Sequence, residues 1–275
     1  MTIETAQTDL IPVPTAPDGR RMLTRAAQGW FVATALGQLL FIVFIQFFYY
    51  RLILAGNFAG WNAKPNITGH VAGDDIGNAQ FALHVIFAAI MTLAGLIQLL
   101  PAVRVRWPQL HRWSGRTFLI TALILSLGGL WLTWVRGSYL TITSAVAISI
   151  DALLILWFGT MAWRTARSRN VAAHRRWALR CFVAASGVWF MRVGYMAWGI
   201  ATGGAGIAPG MAGPFDVVWG FATYLLPLVM LELYLAAPPA PAGRQMAIGL
   251  AMIMGSALIL LGSVSAWLFM WLPHL

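Results

Sequence analysis

Two histidines stand out because each opens the same short pattern: Leu110-His111-Arg112 ahead of one apolar run and Ala173-His174-Arg175 ahead of another. Two imidazoles at one depth on neighbouring helices are what bis-histidine ligation of a haem iron requires. Each histidine has a small residue four positions later, Gly115 and Ala178. Residues four apart share a helix face, so a flat group has room beside either ring. Arg112, Arg116, Arg175 and Arg180 follow closely and suit the anionic propionates of such a group. The pattern makes His111 and His174 candidate metal ligands and haem b a candidate cofactor. The competing reading is that both rings cap loops or meet lipid phosphates beside Arg112 and Arg175.

A second constellation lies inside the apolar runs. Asp151 and Arg192 are charged residues far from any polar flank, and at 1.5 Å of rise per residue they fall roughly 15 Å and roughly 12 Å below the same end of their helices. An unpaired charge there costs on the order of 2.5 to 3.5 kcal/mol on insertion scales. The two are therefore expected to pair, or to share a polar network with His84. His84 alone serves either as a hydrogen-bonded bundle histidine or as half of a second haem site. Its counterpart for such a site would be Ala147, so the obvious partner is missing. His174 and Arg192 are 18 residues apart, which places them on one stripe of a continuous helix. Gln98 and Glu232 lie at the depth of the basic clusters, with Glu232 expected to bridge to Arg112, Arg116 or Arg180. His70, Asp74 and Asp75 share one loop, where a solvated loop is expected rather than a cation site. No Gly-rich phosphate loop, nucleophile elbow, HExxH pattern or cysteine pair occurs, so soluble-type enzyme chemistry has no support, and the enzymatic reading left open is a membrane oxidoreductase component.

These residues must be positioned by helices in lipid. The chain has 275 residues, 60% hydrophobic and 9% charged, against about a quarter charged in soluble domains. Helices satisfy their own backbone in a bilayer, so the expected class is all-α, a polytopic membrane helical bundle. Apolar runs near the length of a span fall at 28–50, 79–101, 117–135, 142–163, 178–200, 215–237 and 246–272. The expectation is seven transmembrane helices. Arginines crowd the segments between alternate spans, at 20–25, 104–116, 164–180 and 244, whereas the other side holds Arg51, Lys64 and Arg136. That asymmetry predicts N-in, C-out. The net charge of +10 is thus an orientation signal and a grip on lipid headgroups rather than a nucleic-acid surface.

Residues 1–27 read as a cytoplasmic N-terminal tail without the pattern of a cleavable signal, and 28–275 as one transmembrane domain. Glycine-rich stretches at 51–78 and 201–214 read as loops. Pro238-Pro239-Ala240-Pro241 breaks the chain before the seventh span, which is expected to be peripheral. The repeated histidine pattern makes spans two to five, residues 79–200, a four-helix core of two similar hairpins. Pro108 and Asn170 are the expected helix starts. The single cysteine, Cys181, leaves no disulfide framework.

His84, Gly95-Leu96-Ile97-Gln98, Leu110-His111-Arg112-Trp113-Ser114-Gly115-Arg116, His174-Arg175-Arg176-Trp177-Ala178-Leu179-Arg180 and Arg192 together resemble the bacterial membrane family termed domain of unknown function 2306. Ala178 departs from the Met expected there. The resemblance implies a multi-pass protein of the bacterial inner (plasma) membrane and no assigned activity. A looser similarity runs to diheme transmembrane cytochrome b proteins of the ascorbate-reducing kind. It implies His111 and His174 as one axial pair and His84 as half of another, and is a fold-level analogy. Three functions are compatible with these residues: haem-binding electron transfer, a small-molecule or proton-coupled transporter using Asp151, Arg192 and His84, and an accessory subunit or assembly factor that docks other membrane protein subunits through its arginines.

Overall fold

The computed structural model describes residues 19–64 and 66–275. Among them the secondary structure is helical throughout, with no strand. Six helices among the described residues are long and apolar enough to cross a membrane: α1 (Gly19–Leu54), α2 (Asp75–Leu99), α4 (Pro108–Trp134), α5 (Ile142–Arg167), α8 (Pro214–Ala236) and α9 (Ala242–His274). A short α3 (Pro101–Arg106) joins α2 to α4. The run expected as the fifth span is divided into α6 (Val171–Ala185) and α7 (Gly187–Thr202), each too short to cross alone. Apolar side chains such as Leu123, Leu153, Leu226 and Met254 stay exposed along these rods. In lipid that surface needs no cover, and the chain is a multi-pass membrane helical bundle.

The helix starts follow the local chemistry. Pro108 occupies the first turn of α4, where its missing N–H costs nothing. The Asn170 side chain accepts from the Ala173 N–H at 3.1 Å and caps α6. Thr141 and Ser144 cap α5 reciprocally. After the proline-rich turn, Gln245 Nε2 donates to the carbonyls of Pro238 and Ala240 and ties that turn to α9.

Two expectations about the outer elements are corrected. Residues 19–27 are the first turns of α1 rather than a tail. Leu23 and Ala26 are buried there against Ile248 and Met252 of α9, while Arg20, Arg21 and Arg25 point outward; residues 1–18 lie outside the described part. The seventh span is not peripheral. α9 places Ile259, Ala266 and Trp271 in the largest core cluster, with Phe41 and Phe44 of α1 and Trp189, Phe190 and Val193 of α7. Small residues allow that approach. Gly262 lies against the Val193 backbone, and Gly37 against Ser263 and Trp189. α1 and α9 each contain a turn of π-helix near the C-terminal end, at Ile45–Tyr50 and Ala266–Trp271.

Candidate functional site

The division of the fifth span is local and polar. Ser186 has φ −82° and ψ −4°, and Gly187 follows it, a Ser-Gly pair of the kind that kinks helices. Ser186 Oγ donates to the Phe182 carbonyl at 2.8 Å and accepts from Gln38 Nε2 of α1 at 2.9 Å. The Gly187 carbonyl accepts from Thr223 Oγ1 of α8 at 2.6 Å. Side chains of two other helices thus meet the break, Thr223 at its backbone and Gln38 at the Ser186 hydroxyl. The break sits midway along 171–202, so His174 and Arg192 do not share one continuous helix as their spacing suggested.

Asp151 of α5 packs against this break. A Cβ at Gly187 would lie 2.7 Å from its Oδ2 and 3.3 Å from Cβ of Tyr224, so glycine is required for the carboxylate to come so close. Asp151 is 8% exposed. Its Oδ1 has no hydrogen-bond partner, nor has the Tyr224 hydroxyl. The expected ion pair with Arg192 does not form. Arg192 turns to the other side of α7, where its Nη1 donates to the Val188 carbonyl at 2.8 Å and its guanidinium lies 5.2 Å from the centroid of Phe41. Depth along a helix matched, but rotation about the axis separated the two charges.

Arg192 keeps the other expected neighbour. His84 lies within range of its charge, deep in the bundle, with Nδ1 unpartnered and Cε1 beside Gly129 of α4. Lys64 joins them, 4.7 Å from the centroid of Phe44. By its position in the sequence it is only a charge on the arginine-poor side. As the only lysine of the chain, in a span-flanking loop, it carried a signal by its rarity.

At the arginine-rich end the repeated pattern folds into two similar helix starts. Trp113 and Arg116 stack with 5.1 Å between guanidinium carbon and ring centroid, and Trp177 and Arg180 do the same at 4.7 Å. Arg180 also makes a two-bond ion pair with Glu232, at 2.6 and 2.8 Å, as expected of Glu232. His174 Nδ1 contacts the Ala162 carbonyl at 2.9 Å, and His111 Nδ1 is buried without a partner. His111 and His174 are close enough to feel each other's charge. Arg112, Arg175 and Arg176 are exposed. Gln98 Nε2 donates to the His111 carbonyl at 2.5 Å and to Ser114 Oγ at 2.6 Å. Its Oε1 lies 2.9 Å from where a Cβ on Gly115 would be. The face expected to hold a flat group beside His111 is therefore filled by Gln98, and a haem lying beside Gly115 does not fit. Of the guanidinium groups assigned to propionates, Arg180 is committed to Glu232.

In the loop before α2, Asp74 caps the helix by accepting from the Gly77 N–H at 2.9 Å and pairs with Arg136 Nε at 2.7 Å. Arg136 also donates to Asn78 Oδ1 and the Gly69 carbonyl. The Arg136 hydrogen bond, the Gly77 N–H and the Arg136 charge hold the Asp74 carboxyl below its ordinary 3.8. Asp74 is thus engaged by an arginine, and no cluster of three metal-ligating side chains occurs among the described residues.

A multi-pass helical bundle with a broken central span, charged groups buried beside that break and arginines crowding one end defines an integral membrane protein. Residues 81–211 match the family described as "Predicted membrane protein (DUF2306)". That match runs from α2 to the loop after α7 and so includes His84, both histidine patterns, Asp151 and Arg192. Neither a curated protein nor a solved structure shows significant similarity to the chain.

Proposed function

We propose that this protein is a proton-coupled small-molecule transporter of the bacterial inner membrane, working at the broken span. The observation that carries the proposal is Asp151, an unpaired carboxyl packed on Gly187 where the helix is interrupted. Interrupted helices in transporters hold their ligands near the middle of the membrane, where freed backbone and buried side chains meet. A carboxyl with no cation beside it is stable in such surroundings as the neutral acid. Loss of its proton creates a charge that must be compensated, which couples protonation to rearrangement of α6 and α7 about Ser186. Arg192 and His84, beyond the break, are the groups a solute meets from the arginine-poor end. The exposed arginines at the other end grip anionic lipid headgroups and set the orientation.

Uptake into proteoliposomes under an imposed pH gradient tests this, with a panel of labelled organic acids, amines and amino acids. Saturable uptake of at least one class is expected. Asp151→Asn, a folded neutral isostere, is expected to abolish the dependence on the gradient. If folded wild-type protein moves no member of the panel, or Asp151→Asn leaves gradient-driven uptake intact, the proposal fails.

A further inference from the structure

At the broken span two buried polar side chains from different helices close on one glycine. A Cβ at Gly187 would meet Oδ2 of Asp151, from α5, at 2.7 Å and Cβ of Tyr224, from α8, at 3.3 Å. Tyr224 is 1% exposed, and its hydroxyl and Asp151 Oδ1 each lack a hydrogen-bond partner. Buried phenols usually find a partner, because an O–H stripped of water otherwise gets nothing in exchange. The phenol also lies within range of a charge on Asp151. One orphan is a donor and the other an acceptor, so side-chain rotation can satisfy both with no third molecule between them.

The other groups around Asp151 are committed, distant or weak. α5 packs against α4, α6 and α8. From α4 no titratable side chain faces the carboxyl, because residues 117–135 contain none. The histidine and arginines of α6 and the arginines of α5 lie at the arginine-rich end of those helices. Nearer the carboxyl, α6 offers Cys181, a weak donor whose own contact with the Ile155 carbonyl is 3.8 Å long. On α8, Asp216 accepts from Tyr195 and Glu232 pairs with Arg180. The hydroxyls at the break are taken, Ser186 by the Phe182 carbonyl and Thr223 by the Gly187 carbonyl. Tyr224 is the strong donor left uncommitted at this glycine.

We propose that Tyr224 is the counter-group of Asp151: when the carboxyl gives up its proton the Tyr224 O–H donates to the carboxylate, and when the proton returns that bond is released. An O–H donating to an anionic oxygen makes a bond about twice as strong as a neutral one, so the contact belongs to the ionised state. Thr223 and Tyr224 are consecutive in α8. The helix that holds the Gly187 carbonyl therefore also carries the group that answers the carboxyl, and a charge on Asp151 is felt at the break. The inference names how the proton is handled at the site proposed above, and rests on that reading only in calling this proton the coupled one.

Infrared titration of the full-length protein in proteoliposomes tests it. The probe is the carbonyl stretch of the protonated Asp151 carboxyl, identified by its loss in Asp151→Asn. In wild-type protein the band is expected to fade as pH rises, and with ring-deuterated tyrosine a tyrosine signal is expected to change at the same midpoint. Tyr224→Phe is expected to remove that signal and to move the midpoint up by about one pH unit, tenfold in proton affinity, because the carboxylate has lost its donor. Cys181→Ala is expected to leave the midpoint in place. Monodisperse elution and unchanged circular dichroism establish that each variant is folded; should Tyr224→Phe not fold, the labelled wild-type protein decides. A carboxyl band that is missing or persists at every pH, no tyrosine signal at the midpoint, or an unmoved midpoint in folded Tyr224→Phe overturns the inference. A midpoint moved by Cys181→Ala and not by Tyr224→Phe overturns it in favour of the thiol. Gradient-driven uptake with a midpoint indifferent to Tyr224 removes this inference and leaves transport standing; a tyrosine that titrates with Asp151 in protein that moves no solute does the reverse.

Discussion

Asp74 shows how one side chain is settled by its neighbours rather than by its type. In the sequence it belongs to a loop with His70 and Asp75 that resembles a weak cation site, yet Arg136, 62 positions away, takes the carboxylate. Because the folded state holds this carboxyl below 3.8, the pairing stabilises the fold above that value. The contribution is lost as pH falls from 3.8 through the lower folded value, since the unfolded chain takes up the proton first. Thermal melts of the detergent-solubilised protein across this acid range are expected to show a falling midpoint, with the fall reduced in Asp74→Asn. Identical acid limbs would mean that Arg136 does not hold the loop electrostatically. Glu232 was legible in advance because arginines crowd its end of the helix. Lys64 was not, because nothing local says that a loop lysine folds back over Phe44.

At the scale of elements, the informative junction is where α9 meets α1 and α7. Gly262 lies so close to the Val193 carbonyl that any larger side chain displaces backbone, not the flexible end of a side chain. Gly262→Val is expected to destabilise the protein by about 1–3 kcal/mol, the usual cost of overpacking, read as a lowered thermal midpoint in detergent. Gly243→Ala, with nothing around its missing Cβ, serves as the control. Equal midpoints would argue against close packing of α9. The proline-rich segment announced a break before α9 but not where the helix then goes. The break at Ser186 was hidden for a related reason. Its Ser-Gly pair is written in the sequence, but Gln38, which bonds the Ser186 hydroxyl, and Thr223, which bonds the Gly187 carbonyl, arrive from α1 and α8.

For the whole molecule, the arginine distribution predicts N-in, C-out, with α6 and α7 together completing a seventh crossing. Cys181 is buried, so single cysteines placed at exposed turns report the side cleanly. With an impermeant maleimide on intact cells, Ser138→Cys is expected to label, and Arg169→Cys only after the membrane is opened. The opposite pattern would reverse the topology, and labelling of both in intact cells would remove a crossing between them.

Much of the molecule follows from composition and spacing alone. Apolar runs of about twenty residues must be helices in lipid because no other segment satisfies its own backbone there, and arginine asymmetry predicts their orientation. The helix starts at Pro108 and Asn170 and the bridge from Glu232 are likewise local or short-range matters of charge and capping. What the tertiary structure decided is which buried groups meet. Helix rotation separated Asp151 from Arg192 although their depths agree, Gln98 filled the face beside Gly115, and Phe41 of α1 and Lys64 of the loop before α2 came to Arg192. Depth is set by rise per residue and can be counted, whereas rotation and partner choice come from packing between distant segments, which no single run of sequence contains.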